Sequence, residues 1–328
     1  MPPLRRGRIV GTLIGLLGAG LSAFAWFGYR RHIHRARERI SAGSRIVETP
    51  CGPIEYGVAG DGPPVLVVHG AGGGFDQGLE IASPLVRSGL RVIAMSRFGY
   101  LRTPLPVDAS PTAQADAHAC LLDALSVRRV AIVGASAGAP SSMQFALRHP
   151  ERTAGLVLLV PAAYPSHIEQ RREGAMPLRS SGAAKLLFDT ALKSDFLFWV
   201  APRIARNAML QAILGTPPSV LKNASVEERA RIAEVLDHIQ PLSMRRLGLI
   251  NDASIVGSLP RYELERIAAP TLILGMADCL YGTYSGARYS AEHIPGARFI
   301  DYPTGGHLWV GHHKEVMAEI AGFLGNAS

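Results

Sequence analysis

The chain has 328 residues, 48% of them hydrophobic, enough to bury the core of one large domain or two smaller ones. Its formal charge is +8, yet residues 1–45 hold nine arginines and one glutamate, which is the whole excess. The rest of the chain is electrically balanced, and that excludes a nucleic-acid partner for the main body.

The N-terminal arm reads as a membrane anchor. Ile9 to Tyr29 is an uncharged run of 21 residues rich in Leu, Ile, Gly and Ala. As a helix it would extend about 31 Å, close to the hydrocarbon thickness of a bilayer. Trp26, Phe27 and Tyr29 lie at one end, where aromatic rings favour the interface. Gly11 and Gly15 form G-x-x-x-G, a spacing that permits close helix pairing but is also common in any helix rich in small residues. The alternative is a cleaved signal peptide, with Ala23-Phe24-Ala25 as its cleavage site. Against it, the run is long, and five arginines follow within ten residues of Tyr29. They outnumber the three before the run, so the positive-inside rule places the C-terminal side in the cytoplasm. The expected organisation is an anchor and basic linker over 1–44 and a second domain over 45–328. Cys51, Cys120 and Cys279 are odd in number and widely spaced. They suggest neither a disulfide framework nor a zinc site, and they suit a reducing compartment.

In chain order, residues 45–49 and 54–58 flank Cys51-Gly52-Pro53 as an antiparallel hairpin. Short apolar strands follow near 65–68, 91–95, 129–133, 155–160, 271–274 and 298–300. Nearly continuous apolar runs of this length suit a parallel sheet covered on both faces. Before the third of these strands, Ser110 caps a helix, Pro111 takes its first position, and Asp116 lies near the positive end of its dipole. Ala117, Cys120, Leu121, Ala124 and Leu125 recur at helical spacing and mark its packed face. Strands alternating with helices predict an α/β domain with right-handed crossovers. The alternation stops over 163–262. Helical patterns at 183–200, 203–214 and 226–239 there predict a lid over the C-terminal edge of the sheet.

Gly134-Ala135-Ser136-Ala137-Gly138 stands between an apolar run, 130–133, and a helical stretch, 141–148. This is the strand, sharp turn and helix of a nucleophile elbow, which leaves Ser136 exposed at the end of a strand. A serine hydroxyl needs a base to take its proton and a third group to orient that base. Asp278 leaves the end of strand 271–274, and His307 follows strand 298–300 through a loop with Gly305 and Gly306. His69-Gly70-Ala71-Gly72-Gly73-Gly74 follows strand 65–68. Backbone amides of Ala71 and Ala137, with Gly72, are the expected oxyanion-hole donors. A glycine-rich turn can also cradle phosphate, but this one lacks Gly-Lys-Ser/Thr and a downstream ribose ligand.

Together these residues resemble the α/β-hydrolase superfamily from Val47 to Leu324, and within it the lidded serine esterases and carbon–carbon hydrolases. The resemblance implies a catalytic triad of Ser136, Asp278 and His307, no metal and no organic cofactor. Ser96-Arg97-Phe98-Gly99-Tyr100 departs from the pattern, since many relatives carry Asp where Ser96 stands. The expected activity is hydrolysis of a carboxylic ester, a lipophilic one given the anchor and the aromatic residues of the lid. The alternatives are cleavage of a C–C or amide bond by the same triad, or binding without catalysis. The expected partners are a small acyl substrate and the membrane.

Overall fold

The computed structural model describes residues 4–164, 194–204 and 213–327; the side chains of 4–18, 21, 326 and 327 lie outside the description. By internal contacts the chain divides into Met1–Ala42 and Gly43–Ser328. The first unit is a helix, α1, Leu4–Gly43. Among the described residues no helix is long and apolar enough to cross a membrane. The expected span over 9–29 is therefore not found there. From Ala19 onward only eleven residues precede Arg30, too few to cross the hydrocarbon. The earlier part of the expected span falls on side chains outside the description.

The second unit is built on an eight-stranded sheet in the order β1-β2-β4-β3-β5-β6-β7-β8. The strands are β1 (Arg45–Thr49), β2 (Gly52–Ala59), β3 (Pro64–Val68), β4 (Arg91–Met95), β5 (Val130–Ala135), β6 (Thr153–Leu159), β7 (Thr271–Met276) and β8 (Arg298–Tyr302). β1 and β2 form the expected antiparallel hairpin, β2 joins β4 antiparallel, and every later pairing is parallel. β5 and β7 are buried along their whole length, and β3 and β6 nearly so. Each buried Val or Leu in such strands contributes roughly 1.5–3 kcal/mol, so the sheet centre dominates the stability.

Among the described residues the helices of this unit are α2 (Phe75–Ile81), α3 (Ser83–Arg87), α4 (Pro111–Ala124), α5 (Ala139–Arg148), α6 (Asp195–Ile204), α7 (Pro218–Asn223), α8 (Val226–His238), α9 (Arg246–Val256), α10 (Thr283–His293) and α11 (His313–Ala327). Four of them, α6 to α9, lie in the chain between β6 and β7. The expected helix at 226–239 is α8. Those at 183–200 and 203–214 fall largely outside the described residues.

α4 shows where hydropathy misleads. Ser110 caps it, accepting from the Ala113 amide at 3.2 Å. The buried side chains include Gln114, Ala117, His118, Leu121 and Leu122, while Ala124 faces solvent. The packed face is thus rotated from the expected one, because His118 sits within it although histidine counts as polar. Its Nε2 lies 3.1 Å from Ser141 Oγ. Burial, aided by Arg97 and then His149, pushes its pKa down to about 3. The unfolded chain takes that proton near pH 6.5. The group therefore contributes stability that is fully present above pH 6.5 and lost as pH falls toward 3. His118→Gln is expected to make the loss of stability between pH 6.5 and 4 shallower, by about 1.4 kcal/mol per pH unit. Urea midpoints at several pH values measure it; an unchanged slope would mean that His118 does not carry this dependence.

One cysteine expectation is corrected. Cys51, in the β1–β2 turn, and Cys120, on α4, form a disulfide with Cα atoms 6.2 Å apart. Their separation of 69 residues hid the pair from a reading based on spacing. Cys279 is free and buried.

Candidate active site

β5 ends at Ala135, and the chain turns at Ser136 with φ +50°, a strained value for a residue with a side chain. The turn is possible because its neighbours are small. A Cβ on Gly134 would lie 2.5 Å from Ser142 Oγ, and one on Gly138 would lie 2.4 Å from the Val68 carbonyl oxygen. The chain then enters α5, whose N-terminal dipole favours negative charge beside the serine. Ser136 stays partly exposed among buried neighbours.

His307 reaches it from the loop after β8. Its Nε2 lies 2.8 Å from Ser136 Oγ, so the imidazole is placed to take the hydroxyl proton. Trp309, two residues on, sits in left-handed backbone at φ +42°. The Tyr281 ring stands edge-on to the imidazole, with centroids 4.7 Å apart.

The Asp278 carboxylate meets the same loop. Its oxygens accept from the amides of Gly305 at 3.2 Å and Gly306 at 2.7 Å. Next to His307 Nδ1, at 3.3 Å, lies Cys279 Sγ. Asp278 thus grips the backbone that carries His307, and the neighbouring thiol meets the ring. Burial raises the Cys279 pKa, keeping it a neutral thiol. Sequence reasoning missed Cys279; its only signal was its place directly after Asp278 beyond a buried strand.

The loop 69–74 lies beside the serine. A Cβ on Gly70 would come within 3.1 Å of Ser136 Cβ, a tight contact that glycine avoids as this backbone passes the serine. Ala71 is exposed at the loop's apex, and Ala137 is buried next to the serine. One expected donor is corrected. The Gly72 amide already donates to Tyr100 Oη at 3.3 Å, which occupies its one hydrogen. The conformation behind this is φ +76° at Gly72, which no motif reveals. His69 packs behind the loop, its pKa held well below the ordinary range by burial and then Arg97. It is neutral, and its Nε2 accepts from the Arg97 amide at 3.0 Å.

The carboxylate that Ser96 lacks comes from elsewhere. Glu55 on β2 is fully buried. It accepts from Ser96 Oγ at 2.8 Å, Ser44 Oγ at 2.7 Å and Arg102 Nε at 2.7 Å. Ser96 Oγ in turn accepts from the Phe75 amide at 3.2 Å, which fixes the start of α2. Among the described residues no group of three or more His, Cys, Asp or Glu could hold a metal ion.

A model of the alpha/beta hydrolase fold family matches residues 63–310, which include every group named in this site except Glu55 and Ser44. An uncharacterized hydrolase of Bacillus subtilis is 28% identical over 286 residues, covering 83% of this chain and 95% of that protein. A 2-hydroxy-6-oxononadienedioate/2-hydroxy-6-oxononatrienedioate hydrolase of Comamonas testosteroni is 25% identical, covering 83% of this chain and 91% of that protein. Among solved structures, an alpha/beta hydrolase fold protein from Nakamurella multipartita superposes with a TM-score of 0.67 at 28% identity, over 86% of this chain and 99% of its own.

Proposed function

Because the chain belongs to the alpha/beta hydrolase family, we propose that it is a serine hydrolase acting on a carboxylic ester. One observation carries the reading: Ser136 Oγ, on a strained elbow, lies 2.8 Å from the imidazole of His307. In this reading His307 takes the proton as Ser136 attacks the acyl carbon. Amides of Ala71 and Ala137 receive the oxyanion. Asp278 holds the Gly305-Gly306 backbone so that the ring keeps its aim. The intermediate collapses as His307 gives that proton to the departing alcohol, leaving an ester on Ser136. Water, deprotonated by His307, then attacks this ester, and the acid leaves as Ser136 regains its proton.

A second reading is C–C bond hydrolysis by the same groups, favoured by the name of the Comamonas testosteroni relative. A lipophilic substrate is supported by apolar side chains from the β6–β7 segment. Phe198, Ile239 and Leu242 form a buried cluster, and Ile239 lies nearest to the point of Gly72. Membrane attachment through 9–29 rests on the uncharged run alone. The disulfide supports an oxidising compartment for the second unit, against the cytoplasmic side that the arginine count favours.

The test is a fluorophosphonate probe followed by a panel of p-nitrophenyl esters, anilides and vinylogous 1,5-diketones. Labelling at Ser136 with turnover of esters is expected. Turnover of the diketones alone would give the second reading, and no label on folded protein would remove both.

A further inference from the structure

The loop expected to hold the oxyanion is gripped from behind at four backbone groups. Arg97 Nε donates to the His69 carbonyl at 2.8 Å, and its Nη2 donates to the Gly70 carbonyl at 3.2 Å. Tyr100 Oη accepts the Gly72 amide at 3.3 Å. Arg245 Nη1 donates to the Gly73 carbonyl. Each of these three side chains is itself fixed. Asp252 accepts from Arg97 Nη1 at 2.7 Å and Nη2 at 2.6 Å, and from the Tyr100 hydroxyl at 2.5 Å. Asp76 accepts from Arg245 Nη2 at 2.7 Å.

Asp252 and Arg245 come from the helical segment between β6 and β7; Arg97, Tyr100 and Asp76 come from the sheet side. The contact between the two is close in the backbone as well. The Leu101 amide donates to the Met244 carbonyl at 2.7 Å, and the Gly248 amide to the Gly99 carbonyl at 2.9 Å. All the side chains of this network are buried, and Arg245 and Tyr100 completely so. Burying ions costs several kcal/mol each, which pairing must offset, so packing alone gives no reason to keep two guanidinium groups here. What a planar guanidinium adds is direction: its fork sets where a carbonyl points. The Ala71 amide lies between the Gly70 and Gly72 peptides, and a catalytic donor has to be held to within about 0.5 Å.

We propose that Asp252 and Arg245 are positioning residues, through which the β6–β7 segment sets the orientation of the Ala71 amide toward the Ser136 acyl site. This rests on the serine-hydrolase reading. The segment then completes the site as well as covering it, and an ester meets a working oxyanion hole only when Asp252 and Arg245 are seated.

The test uses the full chain with Tyr100→Phe, Asp252→Asn and Asp252→Glu. Three quantities are read: amide hydrogen exchange over 69–74, the rate of fluorophosphonate labelling, and kcat and KM for a p-nitrophenyl ester. Tyr100→Phe keeps the ring and the Arg97–Asp252 pair, so it folds even if Asp252→Asn does not. It is expected to speed exchange over 69–74, and to lower kcat and labelling rate about tenfold with KM within about threefold. Asp252→Glu is expected to recover more of kcat than Asp252→Asn. A purely structural role would shift thermal stability and leave exchange at 69–74 and the kcat-to-KM split as they are, and that result overturns the proposal. If the unmutated chain takes neither label nor ester, the hydrolase reading fails by itself, and the exchange measurement still decides whether these residues hold the loop.

Discussion

Ser136→Ala is expected to lower kcat for any ester the chain hydrolyses by roughly 10⁴-fold or more, while the melting temperature moves by no more than about 2 °C. The oxygen proposed to attack is removed, and nothing else is asked to move. The side chain is only partly buried, and alanine meets the same left-handed backbone at φ +50° that serine already tolerates. The close contacts of the elbow belong to Gly134 and Gly138, which remain. His307 loses a partner at 2.8 Å but keeps the edge of Tyr281 and the thiol of Cys279. Residual turnover would come from the binding site and the oxyanion donors alone. Steady-state kinetics beside a thermal melt check both halves. Unchanged turnover in a clean preparation would mean that Ser136 is not the nucleophile.

Arg245→Met is expected to cost about 3–5 kcal/mol of stability, the range for a buried ion pair that loses one partner. Arg245 is fully buried, and Asp76 nearly so. Methionine replaces the stem of the side chain but leaves the Asp76 carboxylate without its guanidinium. It also removes the donor to the Gly73 carbonyl. The double variant Arg245→Met with Asp76→Leu is expected to recover most of the loss, since apolar side chains of similar volume often replace a buried pair at little cost. Urea unfolding of the two proteins measures this. A cost under about 1 kcal/mol for the single variant would mean that groups other than Arg245 meet the Asp76 charge.

Much of the sheet was legible, because parallel strands buried on both faces leave apolar runs that need no tertiary information. The elbow was legible because its strand, small residues and helix are consecutive in the chain, although the contact that demands Gly138 is with the distant Val68. His307 and Asp278 could be placed because each follows a strand through a short loop. What could not be read were the long-range pairings that belong to no motif. The Cys51–Cys120 bond, Glu55 beside Ser96, Arg97 with Asp252 and Arg245 with Asp76 all join residues that no local period connects. Gly72 illustrates a second limit. Its peptide is turned by φ +76° toward Tyr100, and a run of glycines encodes freedom rather than direction. Cys279 was obscured because a lone buried cysteine after a strand carries no motif of its own.

The loop of His307 has a further neighbour in the β6–β7 segment. The His307 amide donates to the Gly215 carbonyl at 3.2 Å, and the Leu280 amide donates to the same oxygen at 2.9 Å. A Cβ on Gly306 would lie 2.5 Å from Thr216, and Tyr281 Oη donates to the Ile213 carbonyl at 2.7 Å. Anyone seeking new substrate preferences by exchanging this insertion for a relative's would therefore be transplanting the support of His307 along with it. Grafts that keep residues 213–216 as a fixed seam, and vary the helices on either side, are the ones that leave the chemistry where it is.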